Sequence, residues 1–262
     1  MKNILILGGG DIATGVALRL HRSGFKIVMT ELPQPLSVRR LVSFSEAVYR
    51  GKTTVEGVTA IRAESLQEAL ALPQQDFISV VVDPNPVIRE PDQCPILIDA
   101  CLLKKPSAIN IATTHLVIGL GPGFTCGENC HAVVETQRGH YLGRVYWKGS
   151  ASADTGNPEG DYRRVLRSPT SGQILTHSFI GAKVKIGQLI AEVRQEEIIA
   201  PLDGVLRGLI HNDIFVNQGM KVGDIDPRNN PDYCSTVSDK SFAVGGGVLE
   251  VILGYMARKQ TN

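Results

Sequence analysis

The first 31 residues constrain the fold more than any other stretch. Lys2-Asn3-Ile4-Leu5-Ile6-Leu7 is a short apolar run, as expected of a strand buried on both faces. Gly8-Gly9-Gly10 ends it. Ile12, Ala13, Val16, Ala17 and Leu20 then recur at helical spacing and make one apolar stripe. His21-Arg22-Ser23-Gly24 stops that helix with basic residues in its last turn and a glycine after it. Residues 25–30 read as a second strand, ending at Glu31. Strand, glycine loop, helix and strand make a βαβ unit, which commits the chain to a parallel sheet with helices on its faces.

The loop itself, Gly8-Gly9-Gly10-Asp11-Ile12-Ala13, has the G-x-G-x-x-A form of a dinucleotide fingerprint. The first glycine makes the tight turn, the second lets backbone approach a pyrophosphate, and the small third residue lets helix pack on strand. Amides at the helix start then face the phosphates. Glu31 lies 21 residues after Gly10, where an acid bonds ribose hydroxyls. Asp11 cuts the other way: it gains about 0.3–1 kcal/mol from the helix dipole but repels a close anion. Arg39 and Arg40, expected on the next helix, could serve a 2′-phosphate, so NAD and NADP both stay open. The same residues also fit a plain strand–helix turn with no ligand.

The alternation continues. Residues 55–61 predict a strand, 65–72 a helix, 77–82 a strand ending at Asp83, and 95–98 a strand ending at Asp99. Residues 116–120 predict another, running into Gly119-Leu120-Gly121-Pro122-Gly123-Phe124. Ligands of parallel sheets sit at strand C-termini, which makes Gly121 and Gly123 further cofactor candidates beside Asp83 and Asp99. Lys104-Lys105 could meet an anion or be a solvated pair.

The second half carries a repeat. Pro169 matches Pro201, Gly172 matches Gly204, Val184 matches Val216, Gly187 matches Gly219 and Ile190 matches Val222, each 32 residues apart. Two β-rich halves of this length resemble the barrel-sandwich hybrid of biotinyl and lipoyl domains. That fold carries its modified lysine on the hairpin between halves. The corresponding Arg194-Gln195-Glu196-Glu197 has no lysine, and Lys221 falls opposite Leu189, so neither biotin nor lipoate is expected. The fold class is therefore α/β: an N-terminal Rossmann-like parallel sheet plus a C-terminal barrel-sandwich-like repeat. The expected division is a nucleotide-binding domain over 1–148, a Gly- and Ser-rich linker over 149–164, the repeat over 165–228, and a segment over 229–262 returning to the core, with a helix over 247–258.

Lys and Arg number 27 against 26 Asp and Glu, and aromatics are 5%, which argues against a nucleic-acid binder. No apolar run approaches the ~20 residues of a membrane span, and the start is too short for a signal peptide's ~7–15-residue apolar region. The expectation is a cytoplasmic protein with no membrane partner. Five scattered cysteines predict reduced thiols. Cys126, Cys130 and His131, with His140 nearby, are the set a soft cation would use, but structural zinc takes four ligands and no second pair is spaced for it, so no metal is expected. A reactive thiol beside the glycine loop is the other reading.

Several segments together resemble one family. They are Gly8-Gly9-Gly10-Asp11-Ile12-Ala13-Thr14-Gly15, Gly119-Leu120-Gly121-Pro122-Gly123-Phe124, Val134-Glu135-Thr136-Gln137-Arg138-Gly139-His140, Gly204-Val205-Leu206-Arg207-Gly208-Leu209, Gly223-Asp224-Ile225-Asp226-Pro227-Arg228, Ser238-Asp239-Lys240 and Gly245-Gly246-Gly247-Val248-Leu249-Glu250. In order, they resemble the accessory proteins of the selenium-dependent molybdenum hydroxylase system. The resemblance implies a maturation factor that helps supply the molybdenum cofactor's labile selenium or sulfur ligand. Its partners would be a molybdenum hydroxylase or the proteins that assemble its cofactor, with self-association into a homo-oligomer left open. Its cofactor would be NAD(P) or another dinucleotide, including a molybdopterin dinucleotide. Glu135, Arg138, His140, Asp239 and Lys240 become the catalytic candidates, with Asp226 and Arg228 as further patterned positions. Two rival functions stand beside it: an NAD(P)-dependent oxidoreductase and a non-catalytic scaffold for a molybdoenzyme.

Overall fold

The computed structural model describes residues 3–72, 76–103, 110–156 and 160–260. The chain is mixed α/β and forms two compact units. One comprises Met1–Pro35, Phe44–Thr155 and Val237–Asn262; the other comprises Leu36–Ser43 and Gly156–Thr236. Lys104 and Lys105 lie outside the described residues.

The first unit contains β1 (Asn3–Leu7), α1 (Asp11–Arg22), β2 (Lys26–Glu31), α2 (Glu46–Arg50), β3 (Lys52–Val55), β4 (Val58–Ala63), α3 (Leu66–Ala71), β5 (Phe77–Val82), β6 (Ile96–Asp99), β7 (Leu116–Leu120), β8 (Thr125–Cys126), β9 (Ala132–Val134), β10 (Val145–Tyr146), β11 (Gly149–Ser150) and, after the second unit, α4 (Asp239–Gln260). Its large sheet runs β10-β9-β7-β6-β1-β2-β5-β4-β3. Pairing is parallel from β4 through to β9 and antiparallel only at the two edges, β3 and β10. The continuous apolar runs explain this: β1, β6 and β7 are buried along nearly their whole length, as strands covered on both faces must be. The strand order reverses at β1, with β2 on one side and β6 on the other. That reversal opens a crevice beyond the strand C-termini.

Residues 55–61 are not one strand. β3 and β4 form a hairpin, and Glu56 (φ 44°) and Gly57 (φ 82°) supply the two positive φ angles a two-residue turn needs. Nor does a helix carry Arg39 and Arg40. Their segment is a single 3-10 turn, Arg40–Val42, that belongs to the second unit. There Arg39 Nη2 donates to the Tyr233 and Thr236 carbonyls, and Arg40 Nε donates to the Leu209 carbonyl.

The last helix starts well before the expected residue 247. By length and composition α4 could cross a membrane, against the expectation that no such segment exists. In the fold it packs against α1, with Val244, Val248, Val251 and Ile252 buried. Glycine in a helix interior costs about 1 kcal/mol relative to alanine, and close backbone approach accounts for several here. A Cβ on Gly15 would lie 2.4 Å from Ser241 Cβ, one on Gly245 3.1 Å from the Gly15 carbonyl oxygen, and one on Gly247 2.3 Å from the Gly143 carbonyl oxygen. Gly246 has no such neighbour.

The second unit realises the 32-residue repeat. Its strands are β12 (Val165–Arg167), β13 (Gly172–Thr176), β14 (Lys183–Val184), β15 (Leu189–Val193), β16 (Glu196–Ile199), β17 (Gly204–Leu209), β18 (Phe215–Val216) and β19 (Lys221–Asp226). The offset carries β13 onto β17, β14 onto β18 and β15 onto β19. The two four-stranded sheets run β12-β19-β17-β14 and β16-β15-β13-β18, the same order twice. β14 pairs with the second half's β17, and β18 pairs with the first half's β13. Each half thus completes its sheet with a strand from the other. One core fills between them, including Ile174, Val184, Ile190, Leu206, Val216 and Val222. The β15–β16 hairpin turns at Arg194 (φ 50°) and Gln195 (φ 67°).

Candidate functional site

Gly8, Gly9 and Gly10 sit at the C-terminal end of β1, where the strand order reverses. The neighbouring strand ends hold the loop. The Gly8 amide donates to the Thr30 carbonyl, and the Ala100 amide donates to the Leu7 carbonyl. Gly8 takes φ +88°, and a Cβ there would come 3.2 Å from the Ala100 carbonyl oxygen, so a tight turn and close packing both require glycine. Gly9 is pressed on its other side by Ser45, whose amide nitrogen would be 2.9 Å from a Cβ. The Ser45 amide and the Thr14 hydroxyl both donate to the Gly9 carbonyl. Gly10 caps α1 in an extended conformation with no side-chain hydrogen bond, so no side chain caps the helix start, and Asp11 opens the first turn. Ile12 and Ala13 are buried where the helix meets the sheet.

Glu31 is the acid that spacing placed at the end of β2. Its Oε2 accepts the Gly9 amide at 2.8 Å and its Oε1 accepts the Leu32 amide at 2.7 Å. Burial pushes its carboxyl above the ordinary range, and the two amides offset only part of that. A half-buried carboxylate therefore sits on the glycine loop. Nearby, Asp99 Oδ1 accepts the Cys101 amide, and burial together with Asp99 and Glu31 pushes the Cys101 thiol up to about 12. Asp83 instead caps its own turn through the Asn85 amide.

The second glycine loop is built differently. A Cβ on Gly119 would fall 2.1 Å from Phe124 Cγ, so the buried Phe124 ring fills the space over β7. Gly121 (φ +75°) donates to the Val134 carbonyl and would clash with Thr136 Oγ1 at 2.3 Å. Gly123 (φ +100°) accepts Asn129 Nδ2 on its carbonyl. Gly123 also lines a cleft of about 420 Å³ with Thr125, Glu128, Asn129, Ser150 and Asp154. A second cleft of about 280 Å³ lies at the ends of β4 and β5, beside Ser65, Val82, Asp83 and Arg89. Neither includes Gly8–Gly10.

Of the catalytic candidates, Arg138 and Asp239 meet directly. Glu135 is buried and accepts the Gln137 amide on Oε1 and the Ser152 amide on Oε2, each at 2.8 Å. Burial alone would raise its carboxyl, but these hydrogen bonds outweigh it and hold it below the ordinary value. Its carboxylate organises the loop. Arg138 and Asp239 form a bidentate pair at 2.8 Å on the surface. His140 is exposed and meets the Tyr141 ring edge-on. Lys240 begins α4 beside Asp239. In the second unit, fully buried Asp224 takes Arg164 and Arg207. Asp226 takes Arg207 and Arg228, and Arg228 lies over the Tyr233 ring at 4.4 Å. Burial of Asp226 is outweighed by Arg228 and Arg207, so its carboxyl also lies low. Sequence reasoning missed Arg164, Arg207 and Asp224. Asp224 and Asp226 are alternate residues of β19, a signal the sequence does show, whereas Arg207 reaches both from the irregularity where β17 shifts register between Leu206 and Gly208.

His131 spends Nδ1 accepting the Val117 amide, and burial lowers its pKa. That ring nitrogen is thus taken from any cation. Among the described residues, no three His, Cys, Asp or Glu side chains gather as a ligand set.

The chain is 44% identical over 257 residues to the uncharacterized protein YqeB of Escherichia coli (strain K12). The alignment takes in 97% of this chain and 48% of that protein, so the chain spans about half the length of the curated relative it matches. No protein-family model matches. Among solved structures, an aspartoacylase family protein from Mesorhizobium loti is 14% identical with a TM-score of 0.22, over 24% of this chain and 22% of that one. A succinylglutamatedesuccinylase/aspartoacylase from Rhodobacter sphaeroides is 17% identical with a TM-score of 0.22, over 31% of this chain and 30% of that one. Similarity this slight carries no fold or function across.

Proposed function

We propose that this chain is an accessory factor for maturation of selenium-dependent molybdenum hydroxylases, with a nucleotide or dinucleotide held at the end of β1. The observation that carries the nucleotide half is positional. A glycine loop and a helix start without a side-chain cap stand where a parallel strand order reverses, with an acid from the adjacent strand on the loop amide. The residues fit a ribose-bearing dinucleotide on one condition: Glu31 exchanges the Gly9 amide for ribose hydroxyls, which frees that amide. Asp11 and Glu31 disfavour a second negative charge close by, which favours NAD over a 2′-phosphorylated form, and Arg39 and Arg40 are committed to carbonyls. The large sheet is read as Rossmann-like, and the repeat as resembling a barrel-sandwich hybrid in which no lysine stands on the hairpin. The hydroxylase half, with the partners it implies, rests on the ordered motif resemblance.

Native mass spectrometry of the full chain, purified from a selenium-fed host that makes molybdenum cofactor, tests it. A pterin-dinucleotide, molybdenum or selenium adduct, or bound NAD together with restored hydroxylase activity, is the expected result. NAD(P) alone, with no effect of the protein on hydroxylase activity in the same host, overturns the maturation reading. The scaffold reading has one observation in its favour: Glu31 and Ser45 already fill the hydrogen-bonding groups of Gly9. It predicts a bare chain that still restores hydroxylase activity.

A further inference from the structure

Cys126 and Cys130 face each other as an isolated β-bridge, closed by the Gly127 amide donating to the Cys130 carbonyl. Neighbouring strands lie roughly 4.7–4.9 Å apart, inside the ~4.4–6.8 Å Cα separation of disulfides. The two thiols lie close enough to influence each other's ionisation, and the Cys126 thiol donates to the Tyr146 carbonyl at 3.2 Å. Cys126 is partly exposed, whereas Cys130 is fully buried behind it.

We propose that Cys126 and Cys130 form a reversible dithiol–disulfide site that takes a small-molecule disulfide as its oxidant. This is independent of the maturation reading. Access sets the order of events. The Cys126 thiolate attacks one sulfur of the oxidant; a mixed disulfide forms on Cys126, the oxidant's S–S bond breaks, and one thiolate leaves and takes up a proton. Cys130 then gives its proton to solvent and attacks Cys126 Sγ. The Cys126–Cys130 bond forms and the second thiolate leaves. The protein loses two electrons and two protons, and the oxidant gains both and ends as two thiols. Burial pushes Cys130 up to about 12 and raises Cys126 as well, while the neighbouring Cys130 thiol favours the thiolate on Cys126. Attack therefore runs through Cys126 and speeds up as pH rises. The Cys101 residue also reaches the surface, but its sulfur is desolvated and its neighbour is Asp99, both of which disfavour the thiolate.

The bridge spans the loop that brings Glu128 and Asn129 to the wall of the 420 Å³ cleft, where Asn129 holds the Thr125 amide and the Gly123 carbonyl. Oxidation removes the Cys126 hydrogen bond to the Tyr146 carbonyl and ties that wall.

The test is peptide mapping of the full chain after incubation with oxidised glutathione across a pH series. The expected product has lost two hydrogens, carries a 126–130 cross-link and returns to the dithiol with excess reductant. Cys130→Ser should trap one glutathione on Cys126, and Cys126→Ser should abolish the cross-link. Stable glutathione on wild-type Cys126 without closure, or a cross-link through Cys101, overturns the proposal. Should Cys130→Ser fail to fold, phenylarsine oxide decides. One equivalent bound by wild type and lost in Cys126→Ser supports the site, and no binding by wild type refutes it.

Discussion

Gly8-Gly9-Gly10 and the run from Gly119 to Gly123 both follow buried parallel strands, and both turn through a positive φ, at Gly8 and at Gly121. At the first, hydrogen-bonding groups occupy the loop: the Ser45 amide and Thr14 hydroxyl on one side, Glu31 on the other. At the second, side chains do, with Phe124 over Gly119 and Thr136 against Gly121. A hydrogen-bonded carboxylate can be exchanged for another polar group. A buried aromatic ring cannot leave without opening a cavity. Similar lettering thus hides one loop that can trade partners and one that is core.

Phe124→Ala should show the largest effect. It should cost about 3–5 kcal/mol in denaturant unfolding through the cavity it opens, without altering dinucleotide binding at the first loop. Gly119→Ala forces a methyl into the Phe124 ring and should cost about 1–3 kcal/mol. Combined with Phe124→Ala it should cost much less than the sum, since the cavity receives the methyl. Simple additivity would break the contrast between the loops.

Gly8→Ala should destabilise by a similar ~1–3 kcal/mol from the backbone strain at φ +88°, and should also abolish any dinucleotide adduct in native mass spectrometry. An adduct that survives would move the nucleotide away from β1.

Two carboxylates sharpen the comparison by pH, because both accept two backbone amides. Glu31 is pushed up by burial, so its contribution is fully present below the ordinary carboxylate range and is lost as pH rises through its folded value. Glu135 is held down by its amides despite burial, so its contribution is present above that range and is lost as pH falls through its folded value. Urea midpoints against pH for Glu31→Gln and Glu135→Gln should differ from wild type with opposite slopes. Equal slopes would mean that the two sites are electrostatically alike. The smallest effect belongs to Arg138→Ala. An exposed ion pair contributes at most ~1 kcal/mol, so a large loss of hydroxylase maturation with little loss of stability would mark Arg138 as functional.

Much of this was readable beforehand, and the failures have physical causes. Continuous apolar runs and a helical stripe mark β1, α1 and β2 within a residue or so, because burial on both faces leaves no alternative pattern. The 32-residue offset anticipates paired strands down to the two-residue β14 and β18. Glu56-Gly57 was legible as a turn, but apolar residues on both sides masked it as one strand. Arg39 and Arg40 lie in a stretch whose partners, Leu209, Tyr233 and Thr236, are some 170 to 200 residues away in sequence. Local periodicity carries no such information. Glu135 illustrates the limit for sites. A motif can select an acid without revealing that both of its oxygens are spent on amides.

The exchange of β14 and β18 between the halves of the second unit has a consequence for the chain's history. Neither half closes its own sheet, so a single ancestral copy would have had to meet a second copy to be complete. Within one chain that meeting is intramolecular, and neither half can change its paired strands without the other. A change at Val184 is felt against Val205's strand, and one at Phe215 against Gln173's. Each half is the selective environment of the other.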